Sequence, residues 1–173
     1  MWIKLVGCCL ILGSSAMLGL YYSSRLSGRL MLLKQWYQAM QLLKGEIGYR
    51  HATLGEAFLE VGRRCGQDVG KWMEQLGEEM QKKHSVSFLE LWMPALEQWK
   101  KGGILSADDI RLLEDFGKNL GYLDVSMQEQ RILFFMEQLE TQIQLLNASI
   151  EKRKHLYRTI SVLGGSFLVV LLL

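Results

Sequence analysis

The chain has 173 residues, 49% of them hydrophobic, with one proline and a formal net charge of +2 at pH 7. That length allows one soluble domain of moderate size plus anchors, and a charge so near neutral leaves no electrostatic footprint for nucleic acid. Leu, Met, Gln, Glu and Lys favour helix throughout, nothing alternates with period two, and three cysteines are too few for a disulfide scaffold, which fits a reducing compartment.

Leu5 to Tyr22 carries no charge and is long enough to span a bilayer as helix, with Trp2 and Lys4 before it and Tyr21, Tyr22, Arg25 and Arg29 after it. Ser14 and Ala16 offer small residues for a signal-peptide cleavage, but the heavier basic charge follows the run, as for an uncleaved anchor. Leu30, Leu33, Trp36, Tyr37, Met40, Leu43 and Ile47 continue a helix out of this run as far as Gly48. Thr53–Leu54–Gly55–Glu56 reads as a capping box, so a second helix starts at Leu54 and ends near Cys65–Gly66.

Val69, Trp72, Met73, Leu76 and Met80 mark a third helix, closed by Lys82–Lys83–His84. Ser87 to Glu90 is another capping box, opening a helix that meets Pro94, where a kink is expected, and stops at Gly102–Gly103. Ser106 and Asp109 cap the next, with Ile110, Leu113, Phe116, Gly117 and Leu120 on one face and Gly121 as the stop.

From Ser126 the chain reads as one helix to Leu173. Ile132, Met136, Leu139, Ile143, Leu146, Ile150 and Tyr157 form a heptad-type stripe broken only at Arg153. Lys152, Arg153, Lys154, His155 and Arg158 make a basic collar, after which Thr159 to Leu173 holds no charge. Such a run reaches only about 22 Å as helix against a hydrocarbon core of about 30 Å, so Arg158 must snorkel and the bilayer thin. Arg25, Arg29 and Lys34 on one side and the collar on the other place the intervening segment in the cytoplasm by the positive-inside rule.

His51, His84 and His155 lie far apart without partners at ligand spacing, and neither a phosphate loop nor a nucleophile elbow is present. No enzyme activity, metal, cofactor or small-molecule substrate is expected. Gly45, Gly48, Gly55, Gly117 and Gly121 sit in or at the ends of helical patterns, where close helix approach would account for them. Arg63–Arg64 could meet an acidic partner, although a solvated face is the default reading.

The stretch Leu43 to Phe58 with Glu46, Ile47, Tyr49, Leu54 and Ala57, followed by Gly117, Leu120–Gly121, Asp124 and Gln128 and then a basic helix entering an apolar run, resembles the stage III sporulation protein AB family of endospore-forming bacteria. Thr53 stands where members often carry Pro before the residue matching Leu54, and the capping box supplies an equivalent start. The resemblance implies a membrane component of the channel-like complex joining mother cell and forespore. It also implies a soluble part similar to the cytoplasmic domain of the type II secretion platform protein, set against a cytoplasmic secretion-type ATPase and other membrane subunits. Glu46, Tyr49, Leu54, Ala57, Gly117, Gly121, Asp124 and Gln128 are its structural or interaction candidates.

The expectation is therefore an all-α protein, an antiparallel bundle of about six helices with a transmembrane helix at each end. Residues 1–24 form the first anchor, 25–158 the bundle, and 159–173 the terminal span continuing the last helix. It would be a two-pass protein of the cell membrane with its bundle in the cytoplasm, coupling the ATPase to membrane subunits. The alternative is a membrane-tethered adaptor or sensor binding a soluble regulator.

Overall fold

The computed structural model describes residues 25–66, 68–83, 85–121 and 124–152 in full, and residues 2–24 and 153–172 by their helical backbone. The architecture is all-α: α1 is Trp2–Gly48, α2 Leu54–Cys65, α3 Asp68–Lys82, α4 Phe88–Gly102, α5 Ala107–Leu120 and α6 Val125–Leu172, with no strand among the described residues. Among those residues no helix is long and apolar enough to cross a membrane, and the two expected spans lie outside the fully described residues.

The helix starts follow from local side-chain chemistry. At α2, Glu56 N donates to Thr53 Oγ1 (3.4 Å), while the Thr53 hydroxyl (2.8 Å) and N–H (3.0 Å) both donate to the Glu56 carboxylate. Those bonds hold the exposed Glu56 carboxyl below its usual value of 4.5. Ser106 and Asp109 close the same reciprocal box at α5. At α4 the bond is from Glu90 N to Ser87 Oγ (3.3 Å), and the helix persists through Pro94. Asp124 caps α6 by accepting from Met127 N at 3.0 Å. Gly66 and Gly103 end α2 and α4 in left-handed conformation, with φ of 63° and 62°. Gly121 departs from that expectation: its φ is −74°, so it stops α5 without a left-handed turn.

The chain divides into two compact units, residues 29–143 and residues 1–28 with 144–173. Within the first, four tryptophans form the centre. Trp36 of α1 lies 5.2 Å from Trp72 of α3 and 6.2 Å from Trp92 of α4, ring centre to ring centre, and Trp72 and Trp92 are 5.0 Å apart, all edge to face. Trp99 packs on Trp36 and Trp72. A second line of rings runs from Phe58 through Phe88, Trp92 and Phe116 to Phe135, tying α2 to α4, α5 and α6. Ile132, Phe135 and Leu139 bury the early part of the α6 stripe here, and Leu146 and Ile150 are buried in the second unit. Met136 and Ile143 of that stripe are half-buried, and Tyr157 falls outside the fully described residues.

Two hairpins use different contacts. In α2–α3, Gly55 and Gly62 face Gly77 and Gly70 in antiparallel order. A Cβ on Gly62 would collide with the backbone N of Glu74, and one on Gly77 would lie 2.6 Å from Leu59 N. The two backbones touch. In α4–α5 the contact is a ring on a glycine: the Trp92 indole abuts Gly117, where a Cβ would clash with it, and its Nε1 donates to Leu113 O at 3.0 Å. Phe88 against Gly121 (2.8 Å from a Cβ placed there) repeats the contact one turn away.

Close approach therefore explains Gly117, Gly121 and Gly55, the last at 3.3 Å from Met80 Cβ. Gly48 meets only the flexible end of the Glu129 side chain. Gly45 corrects the expectation, since no neighbouring atom lies within 4 Å of a Cβ there.

Candidate functional site

The residues singled out in the sequence gather toward one pole of the residue 29–143 unit, where α1 ends, α2 begins and α5 turns into α6. Glu46, two residues before the end of α1, is 4% exposed. Arg50 Nη1 donates to its Oε2 and Arg64 Nη1 to its Oε1, both at 2.9 Å. Its backbone carbonyl also accepts from Ala52 N (3.1 Å), drawing the following loop back onto the helix. Both carboxylate oxygens are thus engaged by guanidinium groups. The arrangement suits rigid positioning of two arginines and offers no free base.

Tyr49 follows in the loop with 87% of its surface exposed, next to Arg50, and the Arg50 and Arg64 side chains that hold Glu46 are themselves more than half exposed. His51 turns the chain with a positive φ of 51°. Ala57 is fully buried on α2 beside Phe58, and Leu54 is half-buried at the first position of that helix. Gly48 sits against Glu129, the neighbour of half-buried Gln128, whose N–H donates to Asp124 O at 2.9 Å.

The set thus separates by role. Glu46 holds the pole together, Tyr49 is displayed, Asp124 and Gln128 build the start of α6, and Ala57, Gly117 and Gly121 are packing positions.

Three features escaped the sequence reading. Arg64 has its acidic partner inside the protein, in Glu46, and Arg63 has one in Glu74 (3.5 Å), so neither is a plain solvated face. Arg29 is more than a membrane-flank charge: Nε and Nη2 grip the buried carboxylate of Asp109 at 2.7 and 2.9 Å. The third is the Gly62, Gly70 and Gly77 contact, foreshadowed only by the spacing of seven within Gly55/Gly62 and Gly70/Gly77. Cys65 is half-buried beside this contact, and burial pushes its thiol above the usual 9.0, keeping it protonated near neutrality.

The described residues thus form an all-helical protein whose pole joins a buried, doubly paired carboxylate to an exposed tyrosine. A family model described as Stage III sporulation protein AB matches residues 4–173. The chain belongs to that family, and its role is in sporulation. Comparison with curated proteins and with solved structures finds no match.

Proposed function

We propose that this protein is a non-enzymatic platform of a secretion-like channel complex between mother cell and forespore, anchored by Leu5–Tyr22 and Thr159–Leu173, with its bundle in the cytoplasm. A cytoplasmic ATPase docks on the bundle, and its movement reaches other membrane subunits along α6. The observation that carries this reading is α6 itself, one helix of 48 residues whose early stripe is buried in the bundle core and whose last fourteen residues bear no charge. At 1.5 Å per residue, 48 residues correspond to about 70 Å of helix, and helical continuity is what coupling along α6 requires. The pole at Tyr49 suits docking, because tyrosine and arginine are enriched in interface hot spots and Tyr49 is exposed in the loop next to Arg50, whose guanidinium is held by Glu46.

The test is an insertion of two residues after Ala148, which rotates the two parts of α6 by about 200° without removing any side chain. Sporulation in a strain whose own copy is replaced by this gene should collapse, while the protein still accumulates. Full sporulation with the insertion would refute coupling through α6. Pulldown then separates the alternatives: a platform recovers membrane subunits, an adaptor a single soluble regulator.

A further inference from the structure

Within the residue 29–143 unit, α5 and α6 leave a groove between them. Two depressions of about 390 and 190 Å³ share Leu112, Asp115 and Gln138, and so run into one another. The floor is apolar, since Phe116 of α5 and Phe135 of α6 are each 2% exposed and stack at 4.5 Å. On the α6 wall Phe134 stands 50% exposed, and Met127, two turns earlier on the same face, is 54% exposed. Met127, Arg131, Phe134 and Gln138 follow at steps of four, three and four, the spacing by which one helix face meets another helix.

The charges lining this groove are paired with one exception. Arg111 lies 3.6 Å from Asp108, and Asp115 lies 3.5 Å from Lys118. Arg131 is half-buried beside Phe134 and has no ion-pair partner among the described residues. Partial burial strips water from its guanidinium without supplying a carboxylate in exchange. A carboxylate brought from outside would bind that fork in a charge-assisted, bidentate manner.

We propose that the groove receives an amphipathic helix of another protein, with a carboxylate on Arg131 and a large apolar side chain between Phe134 and Leu112. From Arg131 to Gln142 the α6 wall runs about 16 Å, the length of three helical turns. A single unanswered cation among paired charges is too little for nucleic acid or an anionic bilayer, both of which need basic clusters. The site lies on α5 and α6 alone, so it requires neither the anchors nor coupling along α6 and holds for a platform and an adaptor alike.

The test uses the purified full chain in mild detergent and a displayed library of helix-forming peptides with one face randomised. Peptides are selected on the parent and counter-selected on the double variant Arg131→Gln, Phe134→Ala. The survivors should carry Asp or Glu next to a large apolar residue. Their affinity should fall about tenfold with Arg131→Gln, the loss of one charge-assisted contact, and stay unchanged with Tyr49→Ala. Exchanging the charges, with Arg131→Glu in the protein and lysine for the peptide carboxylate, should recover most of the binding. No survivors, survivors without an acidic preference, or equal binding to Arg131→Gln each overturn the proposal. If Phe134→Ala instead converts a dimer to a monomer in sedimentation, a second copy fills the groove and the acidic partner is overturned. Should Arg131→Gln lose the parent's helical signal, Gln138→Glu is read in its place: like charge in the groove should weaken the same peptides, and unchanged binding overturns the proposal.

Discussion

The two helical hairpins solve one packing problem with opposite materials. The α2–α3 pair brings backbone onto backbone, with Gly62 against Glu74 N and Gly77 against Leu59 N. The α4–α5 pair inserts an indole, with Trp92 against Gly117 and bonded to Leu113 O. Backbone has no rotamer to change, whereas a ring has two torsions, so the first contact is the less forgiving of a new methyl group. Residue identity at the glycine is the same in both. The neighbour decides the cost.

Gly62→Ala tests the stiff side and should be the most damaging methyl in the protein. The helix gains up to about 1 kcal/mol from replacing glycine, but the hairpin must open along its length, and overpacking of this kind typically costs about 1–3 kcal/mol and occasionally more. A net loss near 3 kcal/mol lowers the melting temperature by roughly 6–12 °C for a chain of this size, read by the helical circular dichroism signal. A melting temperature unchanged from the parent would show that α2 and α3 are not in backbone contact.

Gly117→Ala tests the other side. The methyl displaces Trp92 and removes its bond to Leu113 O, costing about 2 kcal/mol, or roughly 4–8 °C in melting temperature. Tryptophan makes this variant diagnostic, because the near-ultraviolet circular dichroism of the coupled Trp36, Trp72 and Trp92 rings should change with it. Gly62→Ala should lower stability with a smaller change in that signal below the transition. If the two variants alter the ring signal equally, the hairpins are not distinct in the way described.

How much of this was readable beforehand depended on sequence distance. The starts of α2 and α5 were legible because a capping box spans four residues, and the α6 stripe because a helix repeats its face. Glu46 and Arg64 are 18 apart and Arg29 and Asp109 are 80 apart, so their pairing needed the fold. Asp109 was visible only as a cap residue, although its carboxylate also receives Arg29. The glycines failed for a different reason. A glycine at close approach and a glycine in open solvent look identical until the opposing helix is placed, and thus Gly45 was grouped with Gly117 while Gly62, Gly70 and Gly77 passed unnoticed.

Gly45 supplies the smallest effect and the reversed sign. It lies inside α1 with nothing within 4 Å of a Cβ, so Gly45→Ala adds a methyl that meets no neighbouring side chain. What remains is the backbone: alanine loses less conformational entropy in a helix, and the exchange stabilises by about 0.5–1 kcal/mol. The melting temperature should therefore rise, by roughly 1–4 °C. The same mutation would lower stability by several degrees in either hairpin, so one substitution read at three positions separates propensity from packing. A fall at Gly45 would mean that a surface outside the described contacts closes over that turn of α1, and the partner that does so would then be sought against the half-buried Lys44, Gly45 and Gly48 beside exposed Tyr49.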